Sequence, residues 1–79
     1  MSDILFERSE YGDPVMNHSR IAALWSAYLG RDVTAHEVSI CMILVKISRL
    51  ASHPGHIDSL IDIDGYARIA AACAREGQA

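Results

Sequence analysis

The chain has 79 residues, 51% of them hydrophobic and 22% charged, which is the composition of one small globular domain and not of a disordered segment. Seven Lys+Arg against ten Asp+Glu leave a net charge of −3, withholding the attraction that drives non-specific binding to DNA and to anionic membrane surfaces, so neither is expected as a partner. The hydrophobic share is high for one small core, and apolar surface left uncovered by a single chain is usually covered by another, which points to a homo-oligomer.

Cys41 and Cys73 are too few for a disulfide framework and too far apart for a CxxC pair, so they read as reduced, buried, small hydrophobes. The N-terminal stretch carries Asp3, Glu7, Arg8 and Glu10 where a signal peptide needs apolar residues, and no apolar run approaches the roughly 20 residues of a membrane span. A cytoplasmic location is the expectation.

Residues 1–16 lack a lasting hydrophobic period and contain the turn-forming run Tyr11-Gly12-Asp13-Pro14. They read as an N-terminal arm, with one short helical turn around Leu5 to Ser9. Residues 17–76 form the single helical domain. The first helix, about 17–29, follows from Ile21, Leu24, Trp25 and Tyr28 at three- and four-residue spacing, with Asn17 or Ser19 as cap and Gly30 as stop.

The second helix, about 34–51, opens with Thr34-Ala35-His36-Glu37, a capping box. Residues 38–45 are apolar almost all round, so the helix should be buried on more than one side. A β-strand would also suit the Ile and Val content, but the capping box, the length to Leu50 and the spacing of Lys46 and Arg49 argue for helix. Pro54-Gly55 breaks the chain, and a third helix, about 57–75, places Ile57, Leu60, Ile61, Tyr66, Ile69 and Ala70 on its apolar side. Gly65 inside it costs about 1 kcal/mol relative to Ala, tolerable where a neighbour approaches closely. Residues 76–79 should fray. The fold class is all-α, with helices two and three antiparallel across the tight turn.

Asp58 and Asp62 lie one turn apart on one helix face, a like-charge pair that a cation could compensate. Mg²⁺ is held by one or two carboxylates plus waters and phosphate oxygens, and this pair could supply them. Equally, Asp58 can favour the helix N-terminus while Asp62 stays solvated. Lys46 and Arg49 near the end of helix two either bridge to these acids or meet phosphate. His18, His36, His53 and His56 show no metal-binding spacing, and nucleophilic catalysis has no candidate. His53 and His56 flank the turn as exposed loop histidines or as contacts to an anion.

Four blocks together resemble a small helical domain widespread in phages and prophages. They are Tyr11-Gly12-Asp13-Pro14, Arg20 to Trp25 with Tyr28-Leu29-Gly30, Leu44-Val45-Lys46-Ile47-Ser48-Arg49-Leu50, and Asp58 to Tyr66. The resemblance covers about residues 7–72. More distantly, the Asp58-to-Tyr66 block is similar to the acidic helix of the MazG-like all-α nucleoside triphosphate pyrophosphohydrolases. That resemblance implies a dimer or tetramer, a nucleotide or nucleotide-derived ligand, Mg²⁺ on Asp58 and Asp62, and phosphate contacts from Lys46 or Arg49. Those enzymes also carry an ExxE pair on the preceding helix, which here reads Glu37-Val38-Ser39-Ile40 with Ile in place of the second acid. A chain with the pocket and without those acids would be a non-catalytic sponge for a host signalling nucleotide, with Tyr11, Trp25, Tyr28 and Tyr66 available for stacking. The third expectation is a structural helical oligomerisation module without a ligand.

Overall fold

The computed structural model describes residues 13–78. They form three helices and, among the described residues, no strand: α1 (Pro14–Leu29), α2 (Ala35–Ser52) and α3 (Ile57–Arg75). No described helix is long and apolar enough to cross a membrane. The helical turn expected around Leu5 to Ser9 lies outside the described residues.

α1 begins three residues earlier than its apolar period suggests. The Asp13 carboxylate accepts from the Val15 amide at 3.2 Å and the Asp13 carbonyl accepts from Asn17 N at 2.9 Å. Pro14 occupies the first helical position, where its missing N–H costs nothing and its φ is already helical. Asn17 and Ser19 are therefore interior residues and not caps. Gly30, at φ 73°, closes the helix in the left-handed conformation and returns its amide to the Ser26 carbonyl.

The buried side of α1 is Val15, His18 and Ala22, while Leu24 is exposed and Tyr28 is 90% exposed. The expected stripe through Leu24 and Tyr28 is thus turned to solvent. Small side chains govern this face: Ser26 Oγ donates to the Ala22 carbonyl at 2.7 Å and accepts from Val33 N at 2.8 Å, drawing the connection to α2 against the helix.

α2 starts as its capping box requires, with Thr34 Oγ1 accepting from Glu37 N at 3.1 Å and Glu37 Oε1 accepting from Thr34 N at 2.9 Å. It ends at Ser52, and residues 53–56 turn the chain into α3. His56 caps α3: its Nδ1 accepts from Ser59 N at 3.2 Å and lies 2.7 Å from Ser59 Oγ, whose hydroxyl donates to it. His56 is thus half-buried at a helix start, and only His53 of the two is the exposed loop histidine expected.

The tail is docked. Gln78 N donates to the Cys73 carbonyl at 2.8 Å, His36 N donates to the Gln78 carbonyl at 3.1 Å, and Ser19 Oγ donates to Gln78 Oε1. Fraying is expected when backbone groups have only water as partner; here the left-handed Gly77 (φ 77°) redirects the chain so that Gln78 satisfies the start of α2.

α2 and α3 share the largest helix interface, and α1 leans more on α2 than on α3. The core joins Val15, Ala35, Ile69 and Cys73, with Tyr66 and Ala72 packed against it. Cys73 is fully buried and its burial pushes the thiol pKa up, helped by the charges of Glu76 and Asp13. Cys41, by contrast, is exposed; it sits off the Ala35, Ser39, Met42, Lys46 line that α2 turns inward.

This core is thin. Its buried apolar residues are Val15, Ala22, Ala35, Val38, Ile69, Ala70 and Cys73, so Ile69 is the largest of them among the described residues. Ile40, Leu44, Val45 and Ile47 of α2, and Ile57 and Leu60 of α3, are exposed. The apolar girdle of residues 38–45 is only half covered by the chain itself.

Candidate functional site

The packed faces of α2 and α3 each present a charge to the other. Lys46 falls seven residues after Ser39 and four after Met42, the spacing of one helix face, and Asp62 precedes Tyr66, Ile69 and Cys73 at the same spacing. Lys46 Nζ meets Asp62 Oδ2 at 3.1 Å, with side chains 24% and 36% exposed. Arg49 and Asp58 stay outside this pair: both are exposed, and neither forms an ion pair with a described residue. Each stands where the helix dipole favours it, Arg49 in the last turn of α2 and Asp58 in the first of α3.

Tyr66, one turn beyond Asp62, is half-buried. Burial raises its hydroxyl pKa, against a lowering by the Lys46 ammonium and with a further raising by the Asp62 carboxylate. The His18 ring stands edge-on to Tyr66, with centroids 6.0 Å apart. His18 is 5% exposed. Its Nδ1 lies 3.0 Å from the Pro14 carbonyl, which can only accept, so Nδ1 carries the hydrogen and Nε2 is a bare acceptor. Among the described residues that Nε2 has no hydrogen-bond partner, and neither has the buried Ser39 hydroxyl. Burial depresses the His18 pKa more than the Pro14 hydrogen bond restores it, which favours the neutral ring.

Three helices thus bring His18, Lys46, Asp62 and Tyr66 into one polar cluster. Sequence reasoning found Lys46 and Asp62 and missed His18, although His18 follows Val15 and precedes Ala22 at helical spacing once Pro14 is taken as the first helical residue. Among the described residues no group of three or more His, Cys, Asp or Glu side chains could hold a metal ion.

A second feature lies at the other end of α2. Trp25, Leu29, Val33 and Ile40 line an open, mainly apolar groove of about 680 Å³ together with Arg31, His36, Glu37 and Cys41. Trp25 is half-buried here, at the mouth of the groove and not in the core stripe.

The sequence model of one family, described as Domain of unknown function (DUF6378), matches residues 3–74. The Gene 55 protein of Mycobacterium phage L5 is 46% identical over 61 residues, covering 76% of this chain and 39% of that protein. The Gene 55 protein of Mycobacterium phage D29 is 42% identical over 57 residues, covering 72% of this chain and 38% of that protein. The chain thus spans about two fifths of the length of these curated relatives. No solved structure matches it. With the family model covering the three helices and two phage proteins sharing the sequence, the chain belongs to the DUF6378 family, a small all-helical domain with phage-encoded relatives.

Proposed function

We propose that this chain is a helical association module whose α2 face is buried against another protein surface in its working state. The observation that carries the reading is the inverted distribution of apolar bulk: Ile69 is the largest fully buried aliphatic among the described residues, while Ile40, Leu44 and Ile47 stand exposed along one side of α2. Contiguous apolar surface of this kind marks interaction sites. In this reading α2 and α3 run antiparallel and form the rigid body behind the face, supported by the 53–56 turn at one end and the His36–Gln78 hydrogen bond at the other. Its test combines mass by sedimentation with binding of a dye that reports exposed apolar surface. Either an assembled protein, or a monomer whose dye signal disappears in Leu44→Glu, is expected. A monomer that binds no dye overturns it.

Binding of a nucleotide or nucleotide-derived small molecule is a second reading, favoured by the convergence of Lys46, Asp62, Tyr66 and His18 from three helices. Lys46, with Arg49 one turn on, would meet phosphate. Mg²⁺ on Asp58 and Asp62 fits these residues poorly, because Asp62 is already neutralised by Lys46 and Asp58 stands exposed and apart from the pair. A panel of nucleoside triphosphates and cyclic nucleotides, with and without Mg²⁺, tests this reading. A melting shift of several degrees, lost in Lys46→Met, supports binding, and pyrophosphate release lost in Asp62→Ala supports hydrolysis. No shift and no release overturn it.

A further inference from the structure

Ile40, Leu44, Ile47 and Ala51 recur at intervals of four, three and four residues along one side of α2, and all four are exposed. That is the spacing of a coiled-coil seam, where each side chain enters a gap between four residues of a matching helix. On the association reading above, we infer that the occupant of this face is a second copy of the chain, its α2 packed antiparallel against this one about a two-fold axis.

Several features of the face favour a copy of itself. A two-fold interface needs a patch that is complementary to itself. Laid antiparallel about the midpoint between Leu44 and Ile47, those two side chains meet each other's counterparts, and the bulky Ile40 at one end meets the small Ala51 at the other. No charged residue interrupts the seam, so two copies bring no like charges together along it; Arg49 lies on the opposite side of the helix.

Extent points the same way. The seam from residue 40 to 51 is about 17 Å long at 1.5 Å per residue, short of a standard interface by itself. Its Ile40 end, however, runs directly into the groove walled by Trp25, Leu29 and Val33. In the antiparallel arrangement the partner's helix end beyond Ala51 lies over that groove, and the same happens at the other end by symmetry. Burying about 800 Å² per chain, the size of a standard interface, would take roughly a sixth of the 5118 Å² surface.

Cys41 provides a direct readout of orientation. It is exposed, and it follows Ile40 on the same flank where Ser48 follows Ile47. Across an antiparallel seam, position 41 of one chain lies on the same flank as position 48 of the other, offset by about 3 Å along the axis. The expected results are a mass of two chains at micromolar concentration, a melting temperature that rises with concentration, and one chain with helicity retained for Leu44→Glu. Ser48→Cys should be joined to a dimer by a short bis-maleimide linker, and the cross-link should vanish in Ser48→Cys with Cys41→Ser.

Should Leu44→Glu fail to fold, the concentration dependence of wild-type melting decides in its place. A wild-type monomer, or a dimer that survives Leu44→Glu, overturns the inference, and a dimer in which Ser48→Cys does not cross-link overturns the antiparallel pairing. Dye binding separates this failure from that of the association reading. A monomer whose α2 face takes up the dye removes the second copy alone, and one that takes up none removes both.

Discussion

Lys46 Nζ lies 3.1 Å from Asp62 Oδ2, and the two side chains occupy the packed faces of α2 and α3. A charge on a packed face is costly unless paired, so each of the two residues offsets the cost of partly covering the other.

Single and double replacements at this pair are therefore expected to be strongly non-additive. Asp62→Ala leaves a partly covered ammonium without its partner and should cost about 1 kcal/mol, scaled down from a buried pair because both side chains keep some solvent. Lys46→Met with Asp62→Leu should recover most of that loss. Urea unfolding of the four proteins measures the coupling; additive single losses would show that the pair contributes nothing as a pair.

His18 sets the expected acid behaviour. Its pKa is held below the ordinary 6.5 by burial, so the unfolded chain takes up a proton more readily than the folded one as pH falls. The stability linked to His18 is fully present above pH 6.5 and is lost progressively as pH drops toward the lowered folded value. Melting temperatures between pH 7.5 and 5 should fall with acid, and His18→Leu should flatten that slope; an unchanged slope in the variant would place the dependence elsewhere.

Docking of Gln78 makes the end of the chain part of the start of α2. Removing residues 76–79 frees the His36 amide, which Gln78 O accepts at 3.1 Å, and the Ser19 hydroxyl loses its side-chain acceptor. A loss of about 1 kcal/mol is expected, with faster hydrogen exchange at His36. Exchange at His36 unchanged by the truncation would contradict the docking.

Local chemistry by itself determined the three helices and most of their ends. A capping box at Thr34 and Glu37, a turn at Pro54-Gly55 and a stop at Gly30 act through hydrogen bonds and backbone angles within a few residues, so no distant partner is needed to read them. The start of α1 was legible in principle, since Asp13-Pro14 is a cap and a first helical residue as well as a turn. Lys46 and Asp62 could be singled out by type and spacing, together with Arg49 and Asp58.

Tertiary structure alone decided the rest. Ile21, Leu24, Trp25 and Tyr28 satisfy the helical period as well as Val15, His18 and Ala22 do, and the packed structure turned the smaller set inward. Lys46 had two acids within sequence reach and Asp62 two bases; the offset between α2 and α3 joined these two and left Arg49 and Asp58 in solvent. Periodicity tells which residues share a face, but the face that turns inward is chosen by the shapes of the neighbouring helices, and that information is spread over the whole chain.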